Sequence, residues 1–172
     1  MKEALEMMAA YSRRVNENVI VILTKLPEDQ LKKDLQTFYK SLFATFSHMT
    51  MADINWLRRL EPVFTYSALT ESRLLKIPSD ELKASLENNY QSIFSLRREV
   101  DVLFEKLVSE INAGDLQQRV NYKNNKGDDL SKQLGHILMH LFNHQTHHRG
   151  EISALLDIQK ISNNYAGLLN YV

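Results

Sequence analysis

The chain has 172 residues, 21 basic against 21 acidic side chains, and no cysteine. That length suits a single domain over residues 1–172, and the charge balance argues against an extended nucleic-acid surface, which would show as a basic excess. Without cysteine there is no disulfide, thiolate ligand or cysteine nucleophile, so any thiol chemistry has to arrive with a substrate.

Five glycines and three prolines leave few, widely spaced breaks, the pattern of a small number of long helices. No run of 18 apolar residues occurs, and the start, MKEALEMMAAYSRR, is too polar for a signal sequence; a soluble, cytoplasmic protein with no membrane contact is the expectation. The spacing predicts a first helix over residues 3–26, with Leu5, Met8, Ala9, Val15, Val19, Ile22, Leu23 and Leu26 inward and Pro27 ending it. A second helix is predicted over residues 31–60, its stripe running through Leu35, Phe38, Tyr39, Leu42, Phe46, Met49, Trp56, Leu57 and Leu60. Asp53 falls in the middle of that stripe. A carboxylate there is either paired with an arginine or backbone donors, or is a partner to a ligand histidine. His48 lies off the stripe on a face of small residues, Ser41, Ala44, Thr45 and Ala52, which allows an inward position without requiring it.

Residues 62–78 read as a crossover with one short helical turn. Ser79 then caps a third helix running to about residue 111, with Asp80 and Glu81 in its first turn, and Gly114 stops it. Residues 115–129 are polar, with Asn124, Asn125, Lys126 and Gly127 in a turn-forming cluster, and make either a short hairpin arm or a loop. Asp128 or Asp129 is the expected cap of a fourth helix reaching about residue 159. The tail from Lys160 is partly apolar and can fold back along the helices.

The fourth helix concentrates the chemistry. Five of the six histidines lie between His136 and His148, within GHILMHLFNHQTHHRGEISALL. At about 100° per residue, His144 and His148 project from inside the apolar stripe, while His136, His140, His147 and Glu151 follow one margin. Imidazoles four residues apart on one face have Cβ atoms roughly 6 Å apart and can converge on one ion. The alternative is a hydrogen-bonded polar core, in which every ring nitrogen needs a partner.

Together, FYKSLFATFSHMTMADINWLRRL and HLFNHQTHHRGEI resemble the two signatures of the DinB-like (damage-inducible, YfiT-like) metalloprotein superfamily. The first is a histidine, an alanine-aspartate pair and a tryptophan-leucine-x-arginine, here His48, Ala52, Asp53, Trp56, Leu57 and Arg59. The second usually ends histidine-arginine-glycine-glutamine, and Glu151 departs from it by replacing the amide with a carboxylate. The resemblance implies an all-α four-helix bundle with a longer crossover, and a divalent ion, nickel or zinc, held by His48, His144 and His148. From relatives that use low-molecular-weight thiols such as bacillithiol it also implies a metal-dependent thiol transferase, and a homodimer is expected. His147, Glu151 and Asp53 are then the candidates for proton transfer or for orienting a ligand ring, with His140 beside them. The competing expectation is a metal-binding, stress-related interaction protein without turnover, since fold and activity are separable. No HExxH, glycine-rich phosphate loop or GxSxG elbow is present.

Overall fold

The computed structural model describes residues 1–124, 126–165 and 167–171, without the side chain of Asn88. Asn125 of the turn-forming cluster lies outside the described residues, as do Ala166 and Val172 of the tail.

Among the described residues, four long helices form the body: α1 (Lys2–Leu23), α3 (Leu42–Leu60), α7 (Ser92–Glu110) and α8 (Leu134–Ile158). They close a ring in which α1 and α3 each pack against both α7 and α8. The all-α expectation holds, and none of these helices is long and apolar enough to cross a membrane. A one-turn helix α2 (Glu28–Leu31) follows Pro27. The crossover carries two short turns, α4 (Ser67–Thr70) and α5 (Arg73–Lys76), rather than one. It is anchored to α3 by Arg58, whose guanidinium donates to the carbonyls of Leu75 and Ile77 and to Ser79 Oγ. Glu110 at the end of α7 accepts from the Ala68 amide, 3.1 Å away, and from the Ser67 hydroxyl.

The first helix stops at Leu23 rather than residue 26, so Pro27 follows its end instead of making it, and three further boundaries differ from the expected ones, each for a local reason. The second long helix begins at Leu42, not at residue 31. Asp34 accepts from the Gln36 amide, Gln36 and Lys40 take left-handed φ values of 59° and 67°, and Ser41 then caps α3 by accepting from the Ala44 amide. Phe38, expected in the buried stripe, is therefore 88 % exposed. The third helix is broken into α6 (Ser79–Asn88) and α7, because Asn89 leaves helical geometry and its side chain accepts from the Gln91 amide. The polar stretch before the fourth helix is a hairpin of β1 (Arg119–Lys123) and β2 (Asp129–Gln133), antiparallel, with Asn121 opposite Ser131. Strand β2 takes the residues expected to cap the helix, and Gln133 stands at the cap without a side-chain bond.

The tail does fold back. Lys160, at φ 59°, lets the Ile161 amide reach the Leu156 carbonyl and stop α8. Tyr165 is then buried with its hydroxyl donating to the Arg149 carbonyl, and Tyr171 packs its ring edge against Tyr11.

The core is two apolar clusters separated by a polar layer. One half gathers Leu5, Leu57, Phe104, Leu138 and Phe142; the other gathers Val19, Phe46, Phe94, Ile152 and Leu156. Between them every long helix contributes a buried polar group. Arg97 of α7 donates to Asp53 Oδ2 of α3 at 2.6 Å and to Asp101 Oδ1 at 2.7 Å, and all three side chains are almost wholly buried. Asn16 of α1 donates to Asp101, and Gln145 of α8 donates to Asp53 Oδ2 at 2.8 Å. Arg149 completes the layer through Thr146, Asn16 and Gln145. Two arginines and two aspartates balance, as buried charges must.

Removing one partner strands the others. Arg97→Ala is expected to lower unfolding stability by about 3–5 kcal/mol in urea titration. Lys160→Gly is expected to raise it by about 0.5–1 kcal/mol, since glycine tolerates the left-handed stop without the Cβ penalty.

Candidate metal centre

The functional side chains come from α3, from α8 and from the irregular segment before α3. His48 sits on the second turn of α3, and His144 and His148 lie one turn apart on α8, which packs against it. One nitrogen from each of the three rings lies within 4.8 Å of the other two. The closest pair, His144 Nε2 and His148 Nε2, is 2.9 Å apart. Nitrogens bound to one ion at about 2.0–2.1 Å in tetrahedral geometry lie roughly 3.3 Å apart, so that pair has to open slightly to share an ion, while the third ring lies within 4.8 Å of both.

The hydrogen bonds assign the protons. A carboxylate only accepts, so the 2.6 Å contact from His148 Nδ1 to Glu151 Oε2 places the hydrogen on Nδ1 and leaves a lone pair on His148 Nε2. Tyr39 Oη and His48 Nε2 are hydrogen-bonded at 2.9 Å, and in the tautomer that would offer Nε2 to an ion the phenol is the donor. His144 Nε2 faces that of His148 and carries the proton of their contact, while its buried Nδ1 has no partner among the described residues. A cation on the three Nε2 atoms would move that proton to Nδ1 or release it. The donor set therefore fits a divalent ion, with the carboxylate-histidine bond that typically orients a ligand ring already made.

Burial, with the neighbouring His148, His48, His140 and His147 in support, pushes the His144 imidazole down to about 4. Burial and His148 also hold His48 below its ordinary value, against an opposing pull from Glu151. Both rings are thus kept in the neutral form that a metal needs. Tyr39 is held above the usual phenol range by burial and by the Glu151 carboxylate.

Glu151 joins two rings, with Oε2 on His148 and Oε1 3.1 Å from Nε2 of the exposed His147. Asp53 resolves differently. Its bonds run to Arg97 and Gln145 rather than to a histidine, and burial raises its carboxyl to about 6. That is the arginine-paired reading left open by the sequence, and it removes the aspartate from contact with the triad. His136 and His140 are exposed, the His140 ring 6.0 Å from those of His144 and Trp56.

Sequence reasoning missed Tyr39, taken for a core residue, and Arg97, a charge set among apolar neighbours of α7 much as Asp53 is on α3. Beside the triad, Thr37, Phe38, Tyr39, Glu151, Leu155 and Ile158 line a cavity of about 150 Å³. A larger groove of about 750 Å³ between α1 and α7 has no histidine in its wall, and its charges pair with one another, Arg98 with Glu17 and Arg13 with Glu105.

The model of the DinB family matches residues 1–158. The chain belongs to the DinB family. Protein DinB of Bacillus subtilis (strain 168) is 23 % identical over 150 residues, covering 85 % of this chain and 80 % of that protein. No solved structure matches. In this DinB-family chain the three clustered histidines are compatible with metal binding, and they are the ones named by the family resemblance.

A histidine held below its ordinary value is protonated more readily in the unfolded chain. The metal-free protein should therefore lose stability as pH falls from about 6.5 toward 4. Asp53, raised to about 6, acts in the opposite direction over part of that range. The expected signature is a difference: His144→Gln should flatten the acid limb of chemical-denaturation stability relative to the parent chain, in chelator-treated protein at matched pH.

Proposed function

We propose that this chain uses His48, His144 and His148 to hold one nickel or zinc ion with an open coordination position, at which a low-molecular-weight thiol is activated for transfer to an electrophile. The observation that carries the reading is the convergence of three imidazole nitrogens from two helices, with Glu151 fixing one ring. When bound, the ion would acidify a coordinated thiol or water, and three protein ligands would leave room for it.

The remaining work falls to side chains. Glu151 keeps His148 in the tautomer that offers Nε2 and, at 35 % exposure, is accessible enough to take a proton. His147 on its other oxygen can pass that proton to solvent. In the transfer the thiol proton goes to Glu151 or water, sulfur forms a bond to carbon of the electrophile, and the leaving group departs with its electron pair. The absence of cysteine keeps protein thiols from competing with the added one. On this reading the protein is an intracellular homodimer with Asp53 confined to support behind the site.

His48→Ala, His144→Ala and His148→Ala should each lose stoichiometric metal by elemental analysis while keeping their helical circular dichroism, and His136→Ala should keep both. Full metal content in the three variants would remove the ligand assignment. Parent protein loaded with nickel or zinc should give a rate dependent on metal and thiol together against a panel of electrophiles. No such rate would leave a metal-binding protein without turnover.

A further inference from the structure

Tyr39 reaches the centre only because the chain refuses to be helical before it. On a continuous helix, nine residues separate Tyr39 from His48 by roughly 13 Å along the axis. Instead, the left-handed residues Gln36 and Lys40 enclose a turn in which the Leu35 amide donates to the Lys40 carbonyl and the Lys40 amide to that of Thr37. This folds the phenol back over its own helix. Its ring stacks on His48 at 4.3 Å between centroids and 27° between planes, and it meets His148 edge-on at 5.4 Å. Two non-glycine residues at positive φ within five positions are strained, and such strain concentrates where a side chain has to be held for a purpose. The neighbouring Phe38 is left 88 % exposed by the same turn.

The hydroxyl is bonded to the very nitrogen that the ligand assignment gives to the ion. One lone pair on His48 Nε2 cannot serve both the phenol and a cation. Once the cation has it, the O–H is left at the edge of the centre needing another acceptor. Glu151 lines the same small cavity, and each of its oxygens is already shared with an imidazole, which makes it a crowded acceptor for the phenol. An anion at the open coordination position would be an acceptor free of that competition.

Resting on the metal reading above, we infer that Tyr39 is a catalytic residue whose phenol hydroxyl donates a hydrogen bond to an anionic donor atom, a thiolate sulfur or an oxyanion, bound at that position. The substrate class it selects is a small anion-forming ligand with an acceptor lone pair left over after coordination. Ligands that spend their only lone pair on the ion gain nothing from it.

Cobalt(II) is the probe ion, with binding read from its visible absorption and stoichiometry from elemental analysis. Tyr39→Phe keeps the ring and removes the hydroxyl, so cobalt content and helical circular dichroism should match the parent chain. Azide, which retains acceptor lone pairs when coordinated, should bind the variant about tenfold more weakly. Imidazole, which retains none, should bind both proteins equally. Unchanged azide affinity, or an equal loss for azide and imidazole, would overturn the role of the hydroxyl while leaving the metal centre standing. Failure of the parent protein to take up stoichiometric cobalt would remove the centre itself and this inference with it.

Discussion

The buried pairing of Arg97 with Asp53 and Asp101 is the constraint around which the rest of the molecule is arranged. Apolar side chains tolerate sliding and rotation between helices at modest cost, because one aliphatic contact replaces another. A guanidinium buried between two carboxylates does not, since displacement by an ångström leaves charges without partners in a medium that cannot solvate them. With Asn16, Gln145 and Arg149 in the same layer, all four long helices are fixed at one level. The aliphatic halves above and below then fill in around that level.

The centre inherits its placement from this layer. Gln145 and Arg149, each held in it, immediately follow His144 and His148 in sequence, so the bonds that lock α8 from behind also set the rotation at which its histidines face α3. Asp53 does the same for α3, five residues beyond His48. The aspartate and the histidine of the sequence signature thus serve one geometry from opposite sides of a helix. Apart from Glu151 on His148 and Tyr39 on His48, the rings are positioned by the rigidity of the helices that bear them.

How much of this was legible depended on the range of the interactions involved. The His144 and His148 pair follows from helical spacing alone, because three or four residues is a local distance. The inward position of His48 was undecided by periodicity and came from the resemblance, since a helix with two buried faces shows no single stripe. Asp53 announced itself as a charge in an apolar run, whereas its partner Arg97 shows only once the distant α7 is laid beside it. Periodicity misplaces the start of α3 because Leu35, Phe38 and Tyr39 continue the helical spacing of Leu42 and Phe46. The signals that overrode it, an aspartate bonding two residues ahead and a serine cap, contain neither proline nor glycine. Tyr39 goes with that boundary: the helical spacing puts it in the core, whereas the turn puts it beside His48.

The division between layer and turn has an evolutionary consequence. The histidines and the charges that aim them are bound into the interior, where a substitution threatens folding. The aromatic that reaches over them is delivered by residues 32–40, exposed apart from the partly covered Leu35 and Tyr39. Changes in the length or sequence of that stretch can replace what overhangs the centre without disturbing how it is assembled. A scaffold built this way can diversify its chemistry by rewriting one short surface segment.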